Sequence, residues 1–129
     1  MSCDAINTRQ VSAWNATIKQ GANFRHTLRF RDESGAPVDI TGCVIRWACR
    51  PTFDSNTLTA SMSTTDGRIT LDDAVGGIWS FDLPASITAA ITAGRYVHDA
   101  EIQWPSGRVE PLWEGAFTVT REGVRGVIP

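Results

Sequence analysis

Strict two-residue alternation is the feature that most constrains this chain. From Phe24 to Arg31, the residues Phe24, His26, Leu28 and Phe30 share one parity, while Arg25, Thr27, Arg29 and Arg31 take the other. Successive side chains of an extended strand point to opposite faces, so this segment has an apolar face and a cationic one. A helix would scatter both sets around its circumference. The segment therefore reads as a half-buried strand with His26 on its inward side.

The pattern recurs between turn signals. In Cys43 to Arg50, the residues Cys43, Ile45, Trp47 and Cys49 alternate with Val44, Arg46, Ala48 and Arg50, and Trp47 is the expected central core aromatic. Leu58, Ala60 and Met62 alternate with serine and threonine, and Thr65-Asp66-Gly67 leads into Arg68 to Asp72, so these two runs are expected to pair as a hairpin. Trp79, Phe81 and Leu83 share a parity up to Pro84, which lacks the N–H that a sheet ladder needs. Tyr96, His98, Ala100, Ile102 and Trp104 form the next apolar set. Pro105-Ser106-Gly107 then turns the chain into Arg108 to Trp113, and Ala116 to Arg121 is the expected closing strand. Short strands at this spacing predict an all-β sandwich or barrel.

One stretch, Ala85 to Thr92, has helical character, with Ile87 and Ile91 four residues apart and Gly94 as a stop, enough for about two turns. The alternation fails before Trp14 and after Glu122. Residues 1–13 and 123–129 are therefore expected to be arms outside a single domain of residues 14–122.

A chain of 129 residues hides roughly two-thirds of its extended surface on folding, so no disulfide or metal is required for stability. The three cysteines, Cys3, Cys43 and Cys49, have neither the even count nor the density of a disulfide scaffold, and reduced thiols are expected. Cys43 and Cys49 share one strand face about 20 Å apart, too far to bridge. Twelve Lys and Arg against 14 Asp and Glu, interleaved along the chain, leave no basic footprint, so no nucleic-acid partner is expected. No membrane partner is expected either, because no run approaches the roughly 18 apolar residues of a span. Met1 to Gln10 holds no basic cluster followed by an apolar stretch, which predicts synthesis in a cytoplasm.

The sequence offers little chemistry. His26 and His98 both fall on inward parities and read as core or edge residues rather than as bases, while Asp99, next to His98, faces the other side of the sheet. Cys43, Cys49, His26 and His98 match no zinc spacing. Asp32-Glu33 and Asp72-Asp73 lie in turns, where carboxylates cap backbone donors. There is no phosphate-binding glycine loop, nucleophile elbow or glycosidase-like acid pair. No catalytic, cofactor-binding or metal-binding residue is assigned, and a non-enzymatic protein is expected. Among the five tryptophans, Trp47, Trp79 and Trp104 follow core parity, whereas Trp14 and Trp113 are left for a surface or interface. Exposed indoles would serve a carbohydrate- or host-surface-binding module, the competing expectation.

The order of several motifs adds a resemblance. Ile18-Lys19-Gln20-Gly21 precedes Phe24, and Phe30-Arg31-Asp32 precedes Gly35-Ala36-Pro37-Val38-Asp39-Ile40-Thr41-Gly42. Further on stand Gly94-Arg95-Tyr96-Val97-His98-Asp99, Ser106-Gly107-Arg108, and Leu112-Trp113-Glu114-Gly115 before Phe117, Val119, Thr120 and Arg121. Together, from about Asn15 to Glu122, these resemble the Ig-like module of tailed-phage virion proteins, with the N-terminal domain of baseplate upper proteins as best-known relative. The resemblance implies an Ig-like antiparallel β-sandwich with one short helix and extended arms. It also implies a structural role in the neck, tail or baseplate of a virion, since the fibre-connecting segments of larger relatives do not follow after Pro129. The implied partners are other virion proteins and symmetric copies of the chain. Arms and loosely placed aromatics would carry those contacts, making Ile6, Val11, Trp14, Trp113, Val124, Val127 and Ile128 the expected interface residues.

Overall fold

The structure, a computed structural model, describes residues 12–123. Nine strands and one helix follow one another as β1 (Ser12–Ala13), β2 (Ala16–Lys19), β3 (Phe24–Arg29), β4 (Val44–Arg50), β5 (Ala60–Ser63), β6 (Ile69–Asp73), β7 (Ile78–Leu83), α1 (Ala85–Ala89), β8 (Gly94–Gln103) and β9 (Val109–Thr120). One sheet runs β1-β9-β8-β4-β5, with β2 also on β9, and the other runs β3-β7-β6. Both β1 and β2 lie parallel to β9, while every other pair is antiparallel. The partition β3, β7, β6 against β4, β8, β9 reproduces the B, E, D and C, F, G sheets of the immunoglobulin architecture. The fold is an Ig-like β-sandwich.

Alternation explains most of this. β4 and β7 bury every second residue, so Ile45, Trp47 and Cys49 meet Trp79, Phe81 and Leu83 across the sandwich core. Where immunoglobulin domains place a disulfide beside the tryptophan of the third strand, this chain places rings. Trp47 contacts Phe24, Phe117 and His98 at centroid distances of 5.9, 5.4 and 6.0 Å.

Four expectations need correction. The Thr65-Asp66-Gly67 turn does not close a hairpin: β5 pairs with β4 and β6 with β7, so the chain crosses between sheets there. The buried faces of Met62 and Ile69 belong to opposite walls of the core, which periodicity alone does not reveal. The two expected closing strands are one, β9, bent by a register shift at which Leu112 and Trp113 are consecutively buried. Trp113 is thereby a core residue, 6% exposed, and not the surface residue expected. Ser12 and Ala13, expected in an arm, pair with Trp113 and Glu114 of β9. The expected interface residues Ile6, Val11, Val124, Val127 and Ile128 lie outside the described residues.

Two glycines set close approaches. Gly77 has φ 74°, and a Cβ there would stand 2.6 Å from the Val38 carbonyl oxygen. Gly115 sits where a Cβ would run into the Trp14 carbonyl, which lets the first strand segment press onto β9.

Candidate functional site

The first strand of the sheet breaks at Trp14 and Asn15, between β1 and β2. Three bonds hold the break in place. The Trp14 N–H donates to the Glu114 carbonyl at 3.0 Å, the Ala116 N–H donates to Asn15 Oδ1 at 3.0 Å, and His98 Nε2 lies 2.7 Å from the Trp14 carbonyl. Trp47 Nε1 donates to His98 Nδ1 at 2.9 Å. An indole N–H can only donate, so Nδ1 must accept and Nε2 must carry the proton that meets the Trp14 carbonyl. His98 is thus a neutral clamp, 1% exposed, and burial holds its pKa below the ordinary value of 6.5 against the opposing pull of the Trp14 hydrogen bond.

His98 matches the expected hydrogen-bonded core histidine. His26 takes the edge position instead: it lies on β3, at the end of its sheet, and is exposed although it shares the parity of buried Phe24. Among the described residues β3 is a sheet edge, and the first strand opposite it is broken at Trp14, so no described element covers His26. Its ring instead stands edge-on to Trp14 at 5.1 Å.

Between this break and β3 the sandwich opens into a groove of about 350 Å³. Ala13 and Trp14 form one wall, His26 and Leu28 the other, with Trp79 and Trp113 below. Its aromatics run in file: Trp14 meets Trp113 at 4.8 Å, Trp113 stacks on Trp79 at 6.0 Å with 13° between planes, and Trp79 stacks on Phe30 at 5.9 Å. Among the described residues, the buried indole N–H groups of Trp79 and Trp113 find no hydrogen-bond partner. A buried, unpaired donor costs about 1–3 kcal/mol, which sets this pair apart from the other buried side-chain polar atoms among the described residues.

Nothing in the groove resembles catalytic machinery. Its ionisable members are exposed His26 and Arg29, with no carboxylate beside them. Elsewhere, the acids Asp99, Glu101 and Glu114 share the outer face of the large sheet, where partial burial and then Glu101 and Glu114 raise the Asp99 pKa, against the lowering effect of Arg50. Glu101 is paired to Arg46 at 2.8 Å. Glu110, buried, accepts from Trp104 Nε1 at 2.7 Å and pairs with Arg108 at 2.6 Å. Asp32 caps its own turn, as expected, and Asp39 caps the next one, whereas Asp72 and Asp73, expected in a turn, close β6, where Asp73 accepts from the Gly76 N–H. Among the described residues, no three His, Cys, Asp or Glu side chains gather as a metal site, and no helix is long and apolar enough to cross a membrane. Cys43 and Cys49 are buried, and burial pushes the Cys49 thiol up to about 12, far from a reactive thiolate.

Of the two tryptophans expected at a surface or interface, Trp14 stands half-buried at the groove and Trp113 lies buried on its floor. The floor was missed, because inward parity marks Trp79 as core without showing that the core is open on one side. The clue available was the failure of alternation around Trp14 directly opposite a strand that ends in Phe30.

No family model matches this chain, and neither does any curated protein. Among solved structures it is similar to CopC from Methylosinus trichosporium OB3b at 16% identity, covering 86% of this chain and 87% of that one, with a TM-score of 0.47. Drosophila OTK extracellular domains 3-5 align at 18% identity over 94% of this chain and 37% of that one, with a TM-score of 0.41. Murine CRIg aligns at 12% identity over 84% and 92%, with a TM-score of 0.37. Likeness at this level says nothing about function.

Proposed function

We propose that this chain is a non-enzymatic docking domain, a structural component of a tailed-phage virion that joins neighbouring proteins in the neck, tail or baseplate. The observation that carries the docking half is the open seam: an aromatic groove flanked by a strand edge that is free among the described residues, with no catalytic constellation among the residues lining it. Unpaired strand edges bind other chains through backbone hydrogen bonds and need no chemistry. The virion half rests on the ordered motifs from Ile18 to Arg121. Symmetric particles present such edges in many copies, which suits a homo-oligomeric part assembled in the host cytoplasm.

The competing glycan reading needs flat exposed indoles. Trp47, Trp79, Trp104 and Trp113 are all buried, and half-buried Trp14 stands edge-on to its neighbours, so no stacking platform supports it. Immunogold labelling of purified particles tests the proposal. Gold at one axial station of the virion supports it. Unlabelled particles, alongside quenching of tryptophan fluorescence by host polysaccharide, overturn it in favour of the glycan module.

A further inference from the structure

We propose that the open edge of β3 and the groove beside it receive one extended segment of a partner chain, in which carboxylates alternate with apolar side chains. This rests on the docking reading above and specifies the partner.

The Phe30 N–H donates to the Gly77 carbonyl at 2.9 Å, on the inner side of the β3–β7 pair. In an antiparallel ladder, neighbouring residues point their backbone groups in opposite directions. Register continues unbroken from Phe24 to Arg29, so the N–H and C=O groups of Arg25, Thr27 and Arg29 face the open edge. A strand added there lies about 4.8 Å from β3 and turns alternate side chains to its two faces. On the inner face they enter the groove beside Leu28, where apolar groups cover Trp79 and Trp113.

On the outer face the added side chains meet Arg25 and Arg29, both exposed. Arg25 has Asp82 across the ladder on β7, but Arg29 faces Ile78, so the strand presents excess positive charge. That charge selects the occupant. A second β3, paired so that all three open residues are used, would set Arg25 against Arg29 twice, and like charges directly opposite are destabilising. The chain's own outlying segments fit no better: residues 1–11 carry Arg9 against one acid, Asp4, and residues 124–129 carry Arg125 with none. An acidic, alternating strand from a different protein meets every condition.

The probe is a capped heptapeptide alternating valine and glutamate, titrated into the full chain with tryptophan fluorescence and amide exchange as readouts. Binding is expected to slow exchange at Thr27 and Arg29, and a valine–lysine peptide is expected to bind about tenfold more weakly, from two opposed charge pairs. The double variant Arg25→Glu/Arg29→Glu should reverse that preference. Equal affinity for the two peptides, protection at β5 instead of β3, or no binding at millimolar peptide overturns the inference. If the double variant fails to fold, the glutamate peptide N-methylated at its β3-facing amides replaces it: retained affinity overturns the edge contact and lost affinity supports it. Particles that lack the folded double variant yet contain wild type support the strand site. Particles that contain both refute it while leaving the docking reading intact, and particles that lack wild type refute the docking reading itself.

Discussion

Removing the Trp47–His98 hydrogen bond one partner at a time, and then both together, tests whether His98 clamps the broken strand. Trp47→Phe leaves His98 Nδ1 buried without its donor at 2.9 Å. His98→Phe leaves two orphans, the Trp47 indole N–H and the Trp14 carbonyl. Each buried orphan costs about 1–3 kcal/mol, so His98→Phe is expected to lose more than Trp47→Phe, allowing roughly 1 kcal/mol for the smaller ring left at position 47. In the double variant, donor and acceptor vanish together and only the Trp14 carbonyl stays unpaired. The double loss should therefore fall short of the summed single losses by two orphans' worth, about 2 kcal/mol or more, at the upper part of the roughly 0.5–3 kcal/mol seen for residues sharing one network. Urea unfolding at pH 8, where the histidine is neutral in both states, supplies all three differences. Additivity within about 0.5 kcal/mol would refute the clamp and reduce His98 to a space-filling residue.

The same clamp sets a pH dependence: burial lowers the folded His98 pKa from 6.5, so the unfolded chain takes a proton first, and stability should be full above that value and decline as pH falls below it. Unfolding midpoints across that range check this, and an identical decline in His98→Phe would assign the effect elsewhere. Gly115→Ala should destabilise by about 1–3 kcal/mol because its Cβ meets the Trp14 carbonyl, whereas Gly123→Ala, in open space, should be neutral in a thermal melt; equal effects would remove the close approach from the account. With its thiol held at about 12 and buried, Cys49 should resist iodoacetamide at pH 8 until urea is added, as read by mass spectrometry, and rapid labelling of the folded chain would contradict the packing. Trp113→Ala should lose about 3–5 kcal/mol, as much as Trp47→Ala, since both indoles are buried; a loss near zero would return Trp113 to the surface.

Period-two alternation was sufficient to locate β3, β4, β7 and β8, because a strand with one buried face writes its orientation into every second residue. It also placed Trp47, Trp79 and Trp104 in the core and His98 among hydrogen-bonded inner residues. Turn chemistry was legible for the same local reason at Asp32, which bonds backbone within four residues of itself, but not at Asp72 and Asp73, which the pairing of β6 with β7 draws into a strand. All of these can be read within a single segment, although the contacts that bury them are long-range.

The assignment of strands to sheets was decided only in three dimensions. Met62 and Ile69 look like the two arms of one hairpin, yet they bury against opposite walls, because burial constrains which face is apolar and not which sheet owns the strand. Likewise, the consecutive burial of Leu112 and Trp113 breaks the alternation at a bulge that exists through pairing with β8. The groove is the furthest from the sequence. It requires a strand break at Trp14, a glycine at 115 to admit that break, and a histidine 84 residues away to hold it. A site made from such long-range coincidences leaves no pattern in any one segment, while the strands that frame it announce themselves residue by residue.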